Sequence, residues 1–419
     1  MQNAHDTVTE RTTLWTKEFV LICAVYLFFS MCQRLLDSNL APFASTLWNS
    51  KTLGGYLTSA FTIGAIIAAL FAGRMIDLKG RRNVILAGAL LFGFSSLAMA
   101  FWPFPAMGIA ARVFQGAAKS VLMVGATTVV SDIVPKSRMN EGMGYYNIGG
   151  TVSMATGPMI GLVLVEYGSY SQMFLFTAAC CLAMSALCAG INYEKKHGYQ
   201  KPGTTGQPNT GFGEYRGIWK LLEKKAVMYS INNTVFAASY TGILVFVTVY
   251  AQDYLLLNSV RIGLFFTVAA VTMLPVRLFC SRFGDTHGVL VIIVPGHACM
   301  MLALIFLSFF AKGSFLIFLA AGALYGLGFA SVFPAFNAAT VVDSPTGRSN
   351  IANATFFFVW DFGILFASAF FGMLIDAAGS PEAGYMHMYL ISLGVCIISL
   401  LMSLALLNER ARERRRRKC

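Results

Sequence analysis

Five ionisable side chains stand deep inside long apolar runs of this chain, Arg34, Asp37, Arg112, Lys119 and Asp361, while a sixth, Arg277, is close enough to the end of its run to snorkel. A charge within hydrocarbon costs about 2.5–3.5 kcal/mol even on insertion scales, so each one calls for a partner, a water-filled cavity or a function. Arg34 and Asp37 are three apart and share a helix face, which permits a local ion pair. Asp37 and Arg112 also fall at similar depths of their segments, so a pair between segments is equally open. Arg112, Gln115 and Lys119 follow one helical stripe. Lys119 lies near mid-segment, too deep to snorkel, and must face a cavity, a carboxylate or both. Asp361 is the second acid, again near mid-depth. A carboxylate removed from water is neutralised cheaply, which suits proton uptake and release as a cavity opens. A permanent Lys119–Asp361 salt bridge is the competing reading, and the two are compatible if a proton or a ligand breaks the pair. Together the five leave one net positive charge, which favours an anionic, zwitterionic or metal-chelating ligand over a lipophilic cation. Asn147, Asn233, Tyr240, Asn337 and Trp360 stand where they could orient such a ligand.

The elements that must hold these residues follow from composition. The chain has 419 residues, 57% hydrophobic and 12% charged, with a mean hydropathy of +0.65. Soluble domains carry roughly 25% charged residues. Such dilution over this length excludes a disordered chain, a collagen-like repeat and a coiled coil, and reads as an all-α polytopic membrane protein. The formal net charge of +12 resides largely in two clusters, Lys195 to Lys225 and Arg410 to Lys418. Neither is interleaved with stacking aromatics, so membrane lipid rather than nucleic acid is the expected partner. The nine cysteines show no metal-ligand spacing, and no metal or other cofactor is expected.

A helix crossing the bilayer core needs about 20 apolar residues. Twelve such segments lie near 19–41, 53–73, 83–101, 106–130, 142–164, 171–191, 227–251, 261–280, 289–311, 314–341, 350–374 and 385–407. If the N-terminus is cytoplasmic, the outer loops hold only Lys51, Arg261 and Lys312 as basic residues, so both termini are expected inside. The chain also repeats itself. Gly73-Arg74-Met75-Ile76-Asp77-Leu78-Lys79-Gly80 is matched by Ser281-Arg282-Phe283-Gly284-Asp285-Thr286-His287-Gly288, and Asp132, Pro135 and Arg138 by Asp343, Pro345 and Arg348. Two parallel six-helix repeats are a transporter plan with the ligand site between them. The expected units are 1–191, a cytoplasmic linker 192–226, 227–407 and a basic tail 408–419. Residues 214–225 of the linker could lie on the membrane as an amphipathic helix.

Three motifs then resemble the major facilitator superfamily over nearly the whole chain: Gly73…Asp77…Gly80-Arg81-Arg82 after span 2, Arg112-Val113-Phe114-Gln115-Gly116 in span 4, and Gly157-Pro158-Met159-Ile160-Gly161 in span 5. The resemblance is to the twelve-span drug or metabolite:proton antiporter branch and implies the major facilitator fold. It implies that Asp77 sits at the N-terminus of span 11, and that Arg81 pairs with Asp132 to lock the inner side. Related exporters use an acid of span 1 near the span 4 arginine in proton handling, which makes Asp37, Arg112 and Asp361 the coupling candidates. It further implies that the span 5 stripe of Gly149, Gly150, Ser153, Gly157 and Gly161, bent at Pro158, packs on span 8. The expected function is proton-coupled export of a small organic molecule by a monomer in a bacterial plasma membrane. Import of an organic anion by proton symport is the first alternative, and multidrug efflux of lipophilic compounds the second. No HExxH, GxSxG or P-loop points to an enzyme. Arg34 and Lys119 join the amide and aromatic residues as ligand-binding candidates.

Overall fold

The computed structural model describes residues 14–134, 139–191, 224–287, 290–342, 344 and 349–416. Nearly all of the linker, including most of the 214–225 stretch, lies outside them, as do Arg138, Asp343, Pro345 and Arg348. All secondary structure among the described residues is helical. The first six helices are α1 (Lys17–Trp48), α2 (Lys51–Lys79), α3 (Arg81–Phe101), α4 (Pro105–Ile133), α5 (Met139–Glu166) and α6 (Tyr170–Ala189). The second six are α7 (Lys224–Asp253), α8 (Ser259–His287), α9 (Leu290–Ile305), α10 (Phe315–Val342), α11 (Ser349–Ala377) and α12 (Pro381–Arg416). Twelve of these segments are long and apolar enough to cross a membrane. Helices are the expected answer there, because hydrocarbon offers no partner to a backbone N–H or C=O.

Local chemistry sets their ends. The Thr16 hydroxyl accepts from the Phe19 amide at 3.2 Å to start α1, and the Ser50 hydroxyl accepts from the Leu53 amide at 3.2 Å to start α2. Asn49, left-handed at φ 48°, ends α1 and reverses the chain within two residues. Gly80 takes φ 82° between α2 and α3, a conformation that favours glycine and gives the motif its turn. Several helices outrun the sequence expectation, among them α2, which continues to Lys79, and α8, which continues to His287. α1 continues to Trp48, and α12 runs through most of the basic tail to Arg416. Lysine and arginine are good helix formers, and nothing in the tail interrupts the helix.

The apolar core divides in two. One cluster gathers residues of the first six helices, from Leu14 to Ile191. The other gathers residues of the last six and is joined by Ala41, Met154 and Leu162 from the first. The halves meet through α2 against α11, α5 against α8, and α1 against α7. With six helices in each half, both termini lie on one face, here the proximal face. At the distal face the halves are tied. The Asp376 carboxylate of α11 accepts from the backbone N–H groups of Lys51 and Thr52 at 3.0 and 2.7 Å, and from the Ser50 hydroxyl at 3.1 Å. Lys51 also pairs with Asp253 of α7 at 3.0 Å. One level deeper, Ser59 donates to the Leu365 carbonyl at 2.8 Å and meets the Ser368 hydroxyl at 2.9 Å.

Candidate functional site

Arg112 is fully buried on α4, and the fold satisfies it completely. Its guanidinium donates to Asp37 at 2.9 Å, to the Gln115 side chain at 3.0 Å and to the Leu57 carbonyl at 3.3 Å. Gln115 in turn donates to Ser96 of α3 at 3.1 Å, and Gln33 donates to the other oxygen of Asp37 at 3.3 Å. Of the two pairings open to Asp37, the structure thus forms the one between helices. Gly116 makes this possible: a Cβ there would lie 1.8 Å from the Phe61 carbonyl oxygen, so only a bare backbone lets α4 approach α2 so closely. The approach sets the Phe61 ring between two cations, with the Arg112 guanidinium carbon 4.1 Å and the Lys119 ammonium 5.7 Å from its centroid.

Lys119 reaches across the interface. Its ammonium lies 3.6 Å from an Asp361 oxygen, joining α4 of the first half to α11 of the second at mid-depth. Both side chains keep some exposure, 20% and 14%.

Arg34 is different. Among the described residues its guanidinium has no hydrogen-bond or ion-pair partner. It lines a small cavity with Asp37 and Ser38 of α1 and Met154 and Pro158 of α5. The second half closes the cavity with Leu244 of α7, Phe266 and Ala269 of α8, and Tyr325 of α10. The space suffices for only a water or two.

The amide and aromatic candidates divide. Tyr240 is buried beside this cavity, its ring 6.4 Å from that of Tyr325 and 5.2 Å from that of Phe329. The Trp360 ring lies 5.0 Å from that of Phe333, tilted at 53°. Both amide atoms of Asn233 are buried with no hydrogen-bond partner among the described residues, and the Tyr240 hydroxyl faces the Trp360 indole N–H. Asn147 and Asn337 are not brought to the cavity: each lies near the proximal end of its helix, on α5 and α10.

The motif residues also take definite places. Arg81 Nε lies 3.0 Å from Asp132, as the resemblance implied. Both residues belong to the first half, so a lock built on them acts through the α3–α4 corner rather than by bridging the halves. The side chains of Gly73 and Asp77 lie outside what the structure describes. The span 5 stripe requires a correction: its glycines pack on α1, not on span 8. A Cβ at Gly149 or Gly150 would meet Tyr26, one at Gly157 would stand 2.8 Å from the Arg34 Cβ, and one at Gly161 would meet Asn39 and Leu35. The contact with α8 comes from the neighbouring face, where Met159 meets Gly263. The reason is geometric: small residues admit the closest neighbour, and that neighbour is the helix of the same half.

Sequence reasoning missed the distal ties. Asp376, Asp253 and Lys51 stand at span ends, where a charge needs no explanation from depth alone. It also missed His297, which bonds the Ile293 carbonyl at 2.9 Å and the Ser399 hydroxyl at 3.0 Å inside the second half.

Comparison with known proteins agrees with this architecture. Residues 22–368 match the profile of the Major Facilitator Superfamily, and the chain belongs to that family. An uncharacterized MFS-type transporter of Methanocaldococcus jannaschii is 24% identical over 86% of this chain and 92% of its own length. The staphylopine export protein of Staphylococcus aureus is 22% identical over 92% of this chain and 95% of its own. The crystal structure of a D-xylose-proton symporter superposes with a TM-score of 0.73 at 14% identity, covering 92% of this chain and 96% of that one. The protein is a multi-pass membrane transporter with the major facilitator fold, not an enzyme.

Proposed function

We propose that this transporter is a proton-coupled exporter of a small organic molecule, working by alternating access between its two halves. The observation that carries the reading is the Lys119–Asp361 ion pair, which joins the halves at mid-depth. Protonation of Asp361 removes the attraction and frees Lys119, so proton binding acts on the contact that must break when the halves move. Asp37, held by Arg112 and Gln33 beside the same cavity, is the second proton-handling group. The similarity to an export protein along almost the full length supports outward transport. The bias of lysine and arginine supports a cytoplasmic proximal face, in what we take to be a bacterial plasma membrane. In that orientation the distal ties seal the molecule toward the outside, and Arg81–Asp132 braces the corner next to the Gly80 turn.

Everted membrane vesicles with a respiration-driven pH gradient test the reading. Compounds that are substrates release the gradient with the wild-type protein and fail to do so with Asp361→Asn present at equal level. Proton movement of unchanged size in the variant removes Asp361 from coupling. Proton uptake in the opposite sense on adding substrate would make the protein a symporter.

A further inference from the structure

The five charges inside the spans resolve into two pairs and a remainder. Arg112 is saturated by Asp37, Gln115 and the Leu57 carbonyl, and Lys119 faces Asp361. Among the described residues Arg34 is left without an ion-pair partner, on the wall of a cavity that both halves build and that Asp37, held by Arg112, also lines. An unpaired guanidinium within the membrane is costly, and it is held there by design of the surroundings: Gly157 lets α1 and α5 close on the Arg34 stem. Facing it from the second half stand Leu244, Phe266 and Tyr325.

A neighbouring polar group has the same character. Asn233, Tyr240 and Leu244 lie at helical spacing on one face of α7, and Leu244 lines the cavity, so this face leads from Arg34 toward the proximal side. Asn233 is buried with both amide atoms unsatisfied among the described residues, whereas the Tyr240 hydroxyl faces the indole nitrogen of Trp360 on the adjoining α11. Buried groups of this kind are uncommon and costly unless something completes them. The Arg34 guanidinium is the free donor on a cavity wall that also carries Asp37, Phe266 and Tyr325. Such a lining complements an acceptor-rich, negatively charged ligand with a flat or apolar body.

We propose that Arg34 anchors a carboxylate of the transported molecule when the halves part around this cavity, with the Tyr325–Phe266 wall against its body. This deepens the exporter reading and rests on it for the word transported; the binding site itself does not depend on proton coupling. The substrate class is then an organic monocarboxylate, or a zwitterion carrying at least one carboxylate.

The test uses the purified full-length protein and matched triplets that share one body: 3-phenylpropionate, its amide and 3-phenylpropylamine, with indole and naphthyl series beside them. Binding is read by thermal stabilisation, and proton movement in everted vesicles. The expected result is binding by carboxylates and not by the matched amines. Arg34→Gln weakens carboxylate binding at least about tenfold, as the loss of a charge-assisted contact implies. Arg34→Lys keeps the preference for carboxylate but lowers affinity, because the planar fork is gone. If the glutamine variant does not fold, the lysine variant carries the comparison, and unchanged affinity there counts against the proposal. Amines or amides binding as well as carboxylates, or no carboxylate binding in any series, overturns it. Carboxylate binding lost in Arg34→Gln without proton movement in the wild type would sink the coupling reading and leave this site standing. Proton movement driven only by amines would do the reverse.

Discussion

Lys119 and Asp361 show how a buried charge is tolerated only as one member of a pair. Removing one partner leaves the other in low dielectric without compensation, which costs about 3–5 kcal/mol where pairs are fully buried; the residual exposure here reduces that. Lys119→Met alone is therefore expected to lower the unfolding temperature clearly, whereas Lys119→Met with Asp361→Asn recovers most of the loss. A double-mutant cycle by thermal unfolding in detergent measures the coupling, and additive losses would mean the two do not interact. Arg112 makes a sharper demand. It serves three acceptors on three different elements with a planar donor set, so Arg112→Lys cannot replace it. The lysine variant is expected to lose about 2 kcal/mol or more, since at least one acceptor is left buried and unmet. Stability equal to wild type would show that a point charge suffices.

Helices meet closely here wherever a side chain is absent. At Gly116 the α2 backbone occupies the place of a Cβ, so Gly116→Val must push α4 off α2 and displace Phe61, Arg112 and Lys119 together. The expected outcome is loss of folded protein, or of all transport, by size-exclusion profile and vesicle assay; normal activity would contradict the packing. Two helices of opposite direction, α2 and α11, form a seam between the halves. Asp376, at the C-terminal end of α11, caps the first backbone N–H groups of α2, where the helix partial charge favours a carboxylate. Asp376→Asn keeps one acceptor but loses the charge, and so weakens the distal closure. Spin labels at Leu47→Cys and Gly379→Cys should then report a larger share of long distances than in the wild-type background. An unchanged distance distribution would assign the closure to Lys51–Asp253 instead.

As a whole the molecule is two apolar cores joined along a polar and aromatic seam. Each core is held by packing within its own half, and the halves are tied by hydrogen bonds and ion pairs together with apolar contacts of Ala41, Met154 and Leu162 to the second core. That division suits a machine whose halves rock as units, because breaking a few polar contacts costs far less than opening a core. Lys51, Arg261 and Lys312 are the basic residues expected outside. If the proximal face is cytoplasmic, a fluorescent protein fused after Cys419 becomes bright and alkaline phosphatase at the same point stays inactive. The reverse pattern would invert the direction of every transport statement made above.

The sequence by itself determined the class of protein, the number of spans and most of the charged residues that matter. Those follow from two blunt physical facts, that a bilayer needs about 20 apolar residues per helix and that a charge inside one of them demands a reason. It also narrowed Asp37 to two partners and Asp361 to two roles. Only the tertiary structure decided which partner Asp37 took, since Arg34 and Arg112 were both in range and helix rotation chooses between them. By the same rotation it left Arg34 unpaired, turned the α5 glycines toward α1 rather than α8, and moved Asn147 and Asn337 away from the cavity. The distal ties of Asp376, Asp253 and Lys51 join residues hundreds of positions apart at span ends. No period or depth argument reaches them, because they exist only where two separately folded halves meet.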